Sequence, residues 1–251
     1  ASLDGRHSRS WREAARRFLN TMLSGKARLR IALMVMVIGL VLTRSRMGNS
    51  AFFISLTLAG CYWVLATGRL SRAAVVLFAS LILVDVWIVG NFFGFDRVVE
   101  RLQKTSLQNE TRDEVSLDSL ELIGDYALTG SGSGSYYAIF PMYQRGEVNS
   151  YYDHAHNDYA EYATELGLPA FALLGLGVLL SLAAALRAQR QRRDPLLRGL
   201  GFGVGMGLVA LLIHSWVDFN LQIPANTALF MVLMALGWVS LHLGRGERRS
   251  R

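Results

Sequence analysis

Long apolar runs recur along this 251-residue chain, at roughly 31–43, 50–67, 73–95, 168–186, 199–217 and 224–243. A helix needs about 20 apolar residues to cross the hydrocarbon core of a bilayer. Inside that core the backbone must satisfy its own hydrogen bonds, which a helix does without help. The first run is short for a crossing and the other five are adequate. The pattern therefore predicts an all-α, polytopic membrane protein with about six transmembrane helices. Composition agrees, with 52% hydrophobic residues. The single cysteine, Cys61, lies inside the second run, so there is no disulfide framework to read and the redox compartment stays open.

The formal net charge of +7 raises the question of a nucleic-acid partner. If the spans alternate and the first 30 residues face the cytoplasm, that side carries eight Lys and Arg in 1–30, Arg69 and Arg72, five from Arg187 to Arg198 and four from Arg245 to Arg251. Nineteen of 26 basic residues then lie inside, as the positive-inside rule requires. The seven outside are Arg44, Arg46, Arg97, Arg101, Lys104, Arg112 and Arg145, in company with thirteen Asp and Glu between Asp96 and Glu165. The basic excess orients the chain in a membrane and argues against nucleic acid.

The resulting order is a basic cytoplasmic segment (1–30), three spans (31–95), a long outer loop (96–167), three more spans (168–243) and a basic cytoplasmic tail (244–251). In the first segment Trp11, Ala15, Phe18, Leu19 and Met22 recur at helical spacing opposite Arg12, Arg16 and Arg17. That pattern suits a helix lying on the inner leaflet and an ordinary linker helix equally. The chain opens Ala1-Ser2-Leu3-Asp4, without an initiator Met or a signal-peptide pattern. The expectation is the C-terminal part of a longer protein.

The outer loop runs about 70 residues from Asp96 to Glu165, too long for a simple connection. Val115, Leu117, Leu120, Leu122, Ile123 and Leu128 stand among acids, which predicts an amphipathic helix over 112–128 lying on the membrane domain. Gly130-Ser131-Gly132-Ser133-Gly134-Ser135 ends that helix and reads as a flexible linker. It is no dinucleotide loop, because no strand–helix–strand unit surrounds it. The following Tyr136, Tyr137, Ile139, Phe140, Pro141, Met142 and Tyr143 form an apolar, aromatic segment suited to the membrane interface. Together these features predict a folded lid over the outer mouth of the helices.

Residues able to do chemistry gather at the outer ends of the spans. Arg44 and Arg46 follow a short span and would sit near headgroup level, where arginine is costly unless it faces a cavity or a partner. They either snorkel to lipid phosphate or grip a phosphate ligand, for which the guanidinium fork is well shaped. Asp153-His154-Ala155-His156-Asn157-Asp158 sets titratable groups against the start of the fourth apolar run. His154 and His156 admit three readings: a metal ligand, a structural histidine, or a general base or substrate-orienting imidazole. For metal the available ligands lie too close together for an assured tetrahedron. Asn157 and Asp158 are candidate orienting groups or ordinary N-caps. His214 and Asp218 stand at i and i+4 where the fifth run reaches the outside, and read first as a structural pair closing a helix end. Asp85 is an acid in the middle of the third run, with no partner legible in the sequence.

Taken together, these features resemble the O-antigen ligase superfamily of membrane glycosyltransferases, which includes O-antigen ligases, some polysaccharide polymerases and protein O-oligosaccharyltransferases. The specific match is His156-Asn157, nine residues, then Gly167 and two more to Ala170. Family members commonly show His-Asn with nine residues to Gly-x-x-Gly, and here the last glycine is alanine. Thr43-Arg44-Ser45-Arg46 resembles the family's arginine-bearing turn, with Arg46 the nearer equivalent. Thr111-Arg112, followed by an amphipathic helix and the Gly130–Gly134 run with Gly132 and Gly134 inside it, resembles the family's second arginine and glycine-rich turn.

The resemblance implies metal-independent, inverting glycosyl transfer without a cofactor, at the periplasmic face of the bacterial inner membrane. The donor would be a polyprenyl (undecaprenyl) pyrophosphate-linked glycan. The acceptor would be a hydroxyl on lipid A core or on another glycan. Arg46 and Arg112, with Arg44 beside them, would hold the pyrophosphate, and His156 would take or orient the acceptor's hydroxyl proton. His154, Asn157, Asp158, Gly132, Gly134, His214 and Asp218 would support them. Ligase, polymerase and protein glycosyltransferase remain open within the family. From other classes there remain a lipid-linked glycan transporter or binding subunit, and a structural membrane subunit.

Overall fold

The computed structural model describes residues 25–43, 45–68, 79, 115, 117–144 and 152–244. The chain divides into two compact units, Ala1–Ser45 and Arg46–Arg251. The amphipathic segment at 11–23, the third apolar run apart from residue 79, Asp85, Arg44, Arg112 and the tail beyond 244 lie outside the described residues.

In the first unit, α1 (Gly25–Leu42) carries a ten-residue apolar stretch, Ile31–Leu40. It ends at Thr43, whose hydroxyl donates to the Leu40 carbonyl at 2.6 Å.

The second unit contains α2 (Arg46–Thr67), the single-turn α3 (Tyr136–Ile139), α4 (Asp158–Gln191), α5 (Pro195–His214) and α6 (Pro224–His242). Four of these, α2, α4, α5 and α6, are long and apolar enough to cross a bilayer. The protein is an all-α, multi-pass membrane protein, and no strand occurs among the described residues.

Local sequence sets the helix ends. Asp194 caps α5, its carboxylate accepting from Leu196 N and Leu197 N, and Pro195 fits the first helical position, where no N–H is needed. Pro224 starts α6 in the same way. Between the helices, glycine and serine replace bulk. A Cβ on Gly201 would stand 2.7 Å from the Ala185 carbonyl oxygen, and one on Gly237 2.8 Å from that of Ser181. Such close backbone approach is how helices associate in lipid, where apolar burial gives little drive. Trp238 Nε1 donates to Ser181 Oγ at 3.0 Å across the α4–α6 seam. Ala185, Val204, Leu208 and Phe230 fill the centre, while Leu173, Leu179 and Met231 point outward.

With 34 residues α4 is about 51 Å long, well beyond a bilayer core of about 30 Å. It is not one straight rod. Gly167 sits at φ 73° inside it and kinks the helix there.

The described part of the outer loop folds around a core of its own: Val115, Leu122, Tyr136, Phe140 and Ala155 are buried together. Residues 117–125 are helical, and the apolar residues along them divide between two faces. Val115, Asp118, Ser119 and Leu122 turn inward, while Leu117, Leu120 and Leu128 are exposed. Inside the core Ser119 Oγ and Tyr136 Oη lie 2.8 Å apart. In the Tyr136–Tyr143 segment the apolar residues also divide. Tyr136 and Phe140 stack at 5.0 Å within the loop's core, leaving Tyr137 and Met142 exposed. Burial raises the Tyr136 phenol above its ordinary pKa. Tyr143 donates to Asp125 at 2.7 Å, and that bond to a carboxylate pushes its phenol up to about 12.

The Gly-Ser run is pinned rather than flexible. Ser131 N donates to Thr164 O at 2.9 Å, Gly132 N to Glu165 O at 3.0 Å and, from the other side, Leu168 N to Ala127 O at 2.7 Å. These bonds seat the run on the kink of α4. Gly130 (φ 70°) and Gly167 meet backbone to backbone: a Cβ on Gly130 would stand 2.2 Å from Glu165 O, and one on Gly167 2.7 Å from Gly130 N.

Candidate active site

The first turn of α4 organises the site. Asn157 is its N-cap, with Oδ1 accepting from Tyr159 N at 3.0 Å and Ala160 N at 3.2 Å. Asp158 is buried and serves as a staple. Its backbone N donates to Ser215 O at 2.9 Å, and its Oδ2 accepts from Leu221 N at 3.0 Å. Tyr159 donates to Leu212 O at 2.7 Å and Tyr162 to Leu221 O at 2.8 Å. These bonds fix the start of α4 against the end of α5 and the loop that follows, so that residues 152–157 face residues 214–222.

Across that junction the ionisable groups meet. Asp218 lies between two imidazoles, with Oδ1 3.6 Å from His156 Nδ1 and Oδ2 3.7 Å from His214 Nε2. The α5 helix stops at His214, so Asp218 stands in the turn beyond it and can reach the 152–157 loop. Asp218 thus faces His156 as well as its i, i+4 neighbour His214. His156 has φ 49°, the one positive value among described residues other than glycine. That backbone region is sparsely used by side-chain-bearing residues and marks a position held by its surroundings.

His154 is turned elsewhere. Its Nδ1 lies 2.7 Å from Glu161 Oε1, and the second oxygen of Glu161 accepts from Ala155 N at 3.0 Å. The Phe219 ring stacks on His154 at 4.5 Å and meets His156 edge-on at 5.0 Å, while Tyr152 meets His156 from another direction at 6.3 Å. Among the described residues no three His, Cys, Asp or Glu side chains are grouped to hold a metal ion.

An apolar groove of about 410 Å³ is lined by Met47, Tyr159, Val209, Leu212, Ile213 and Trp216, of which Ile213 precedes His214 and Tyr159 follows Asp158. It opens near the first turn of α2, which Arg46 begins. The side chain of Arg46, like all of Arg44 and Arg112, lies outside the described residues.

The sequence-derived site residues thus separate into roles. His156, His214 and Asp218 come together. His154 is paired with Glu161, Asn157 caps α4 and Asp158 staples the facing loop. Gly132 (φ 109°) and Gly134 (φ 73°) shape the turn that docks on α4, well supported by Gly132 N. Sequence reasoning missed Glu161 and Phe219. Glu161 follows His154 by seven residues across a helix cap, a separation with no regular period. Only folding makes the pair visible.

The sequence profile of the O-antigen ligase family matches residues 31–175, more than half of the chain and including the His156 loop, the Gly-Ser run and the kink of α4. No match is found among the curated proteins.

Proposed function

Because the chain belongs to the O-antigen ligase family and is a multi-pass membrane protein, we propose that it is an O-antigen ligase of the bacterial inner membrane. In this reading it moves a glycan from undecaprenyl pyrophosphate to a hydroxyl of lipid A core, with its site facing the periplasm. The observation that carries the chemistry is His156, held in a left-handed backbone conformation with Nδ1 turned to the Asp218 carboxylate.

The acceptor oxygen forms its bond to the anomeric carbon while the bond from that carbon to the pyrophosphate oxygen breaks, and the electron pair leaves with the pyrophosphate. A single displacement inverts the anomeric centre. The acceptor's proton passes to His156, and the positive charge so formed is offset by Asp218 beside the ring, with His214 on the carboxylate's far side. Pyrophosphate leaves well once its charge is neutralised, a task assigned to Arg46 and Arg112 with Arg44. No metal or other cofactor enters this scheme. The apolar groove beside Tyr159 and Trp216 supports a donor with a hydrocarbon tail, and the folded loop over the site supports exclusion of water.

The test is complementation of cells lacking the native gene with the full-length protein, unchanged or carrying His156→Ala, followed by gels of lipopolysaccharide and free polymer. Loss of glycan attached to lipid A core, with the variant still present in the membrane, is the expected result. Loss of chain length instead would mark a polymerase, and loss of protein-linked glycan an O-oligosaccharyltransferase. Identical glycans from both versions would remove His156 from catalysis and leave a binding or transport role.

A further inference from the structure

Glu161 is buried to 2% exposure in the first turns of α4, yet nothing in the transfer chemistry above uses it. A buried carboxylate is costly unless its oxygens are occupied. Both are: one lies 2.7 Å from His154 Nδ1 and the other accepts from Ala155 N at 3.0 Å. The two partners are the residues immediately before His156. Ala155 is itself fully buried in the core of the outer loop, and His154 is clamped on its open side by the stacked Phe219 ring, which also touches His156. On the other side Asn157 fixes the chain as the N-cap of α4. The one described non-glycine residue with positive φ is thus bracketed by anchors on both sides, and the upstream anchor is a single carboxylate.

We infer that Glu161 is a positioning residue: by gripping His154 and the Ala155 amide together, it holds the backbone of His156 in the left-handed conformation that turns the imidazole to Asp218. This rests on the reading of His156 as the group that takes the acceptor's proton. A carboxylate suits both partners at once, one oxygen taking the Ala155 N–H and the other facing His154 Nδ1, which donates when the ring proton is there. A glutamine can keep its oxygen on the Ala155 amide and give its NH₂ to His154 Nδ1 once the ring proton moves to Nε2, so it weakens the grip by removing the carboxylate's charge, whereas an alanine removes both contacts. An aspartate keeps both oxygens but is one methylene too short to reach both partners.

The experiment uses the full-length protein in proteoliposomes, with a labelled undecaprenyl-pyrophosphate-linked oligosaccharide as donor and lipid A core as acceptor. Glu161→Ala is expected to lower kcat at least tenfold with the donor KM unchanged within about twofold, and Glu161→Gln and Glu161→Asp to fall between Ala and wild type. His154→Ala, which removes one partner and leaves Glu161 in place, is expected to give the same selective loss. The Glu161→Ala/His154→Ala double variant should lose no more than Glu161→Ala alone, because both act through one carboxylate. If Glu161→Ala does not accumulate, His154→Ala carries the test. A kcat within twofold of wild type, a parallel loss of kcat and donor affinity, or multiplying losses in the double variant would each overturn the inference. A His156→Ala protein with wild-type turnover would instead overturn the underlying reading, whatever Glu161 does.

Discussion

Replacing Gly130 by alanine adds one methyl group at the point where the outer loop sits on the kink of α4. The new Cβ would stand 2.2 Å from Glu165 O, 2.5 Å from Glu165 C and 2.5 Å from Leu166 C, all of them backbone atoms that cannot rotate away. The residue would also keep φ near 70°, which costs a side-chain-bearing residue about 1–2 kcal/mol. Relief requires the loop to lift, breaking the bonds Ser131 N to Thr164 O, Gly132 N to Glu165 O and Leu168 N to Ala127 O. At a net value of about 0.5–1.5 kcal/mol for each, the whole loss is about 3–6 kcal/mol. Since about 1.4 kcal/mol is tenfold in an equilibrium, amide exchange at Ser131, Gly132 and Leu168 should accelerate by about 10²- to 10⁴-fold, read by mass spectrometry in nanodiscs. Gly124→Ala is the control. Gly124 lies in the 117–125 helix with nothing within 4 Å of an added Cβ, and there alanine should stabilise by about 0.5–1 kcal/mol. Unchanged exchange at the three amides in Gly130→Ala would refute the docked arrangement of loop and kink.

Further expectations follow from other contacts. Gly167→Ala presses on the same seam from the opposite side, 2.7 Å from Gly130 N, so its effect on those amides should combine less than additively with Gly130→Ala. Gly201→Ala should destabilise the bundle in thermal unfolding, because its Cβ meets the Ala185 carbonyl at 2.7 Å, whereas Gly203→Ala, with nothing within 4 Å, should not. Asn157→Ala removes the cap of α4 and should cost about 1 kcal/mol, measured by the same unfolding assay. The Tyr143 phenol titrates at about 12 because it donates to Asp125, against an ordinary value of 10.0. The raised value means that this contact stabilises the fold fully below about pH 10 and is lost as the pH climbs toward 12. In Asp125→Asn, ultraviolet titration should show one phenol moving back toward 10.

Much of this architecture was legible in the sequence. Four of the six apolar runs correspond to helices long enough to cross a bilayer, because length and hydropathy alone decide that property. The His156-Asn157 spacing to Gly167 picked out the loop that carries the histidine, while the kink of α4 at Gly167 shows only in the structure. What escaped were contacts set by tertiary packing. On the 117–125 helix Ser119 meets Tyr136 on the inward face, and which of the apolar residues turn inward with it could not be read from their spacing. The Gly-Ser run has the composition of a linker, and only the backbone of Thr164 and Glu165 shows why glycine is needed there. Asp218 was visible as a partner of His214 at i, i+4. Its approach to His156 depends on α5 ending at His214 and on Asp158 stapling the next loop, neither of which has a local signature.

The most direct test of the central claim is single-turnover transfer by the purified full-length protein, with labelled glycan on undecaprenyl pyrophosphate, lipid A core as acceptor, and the anomeric configuration of the product determined. The account predicts an inverted linkage made by the wild type, a loss of at least a hundredfold in rate for His156→Ala with donor binding retained, and a smaller loss for Asp218→Asn. Retention of configuration, or transfer by His156→Ala at the wild-type rate, would contradict it.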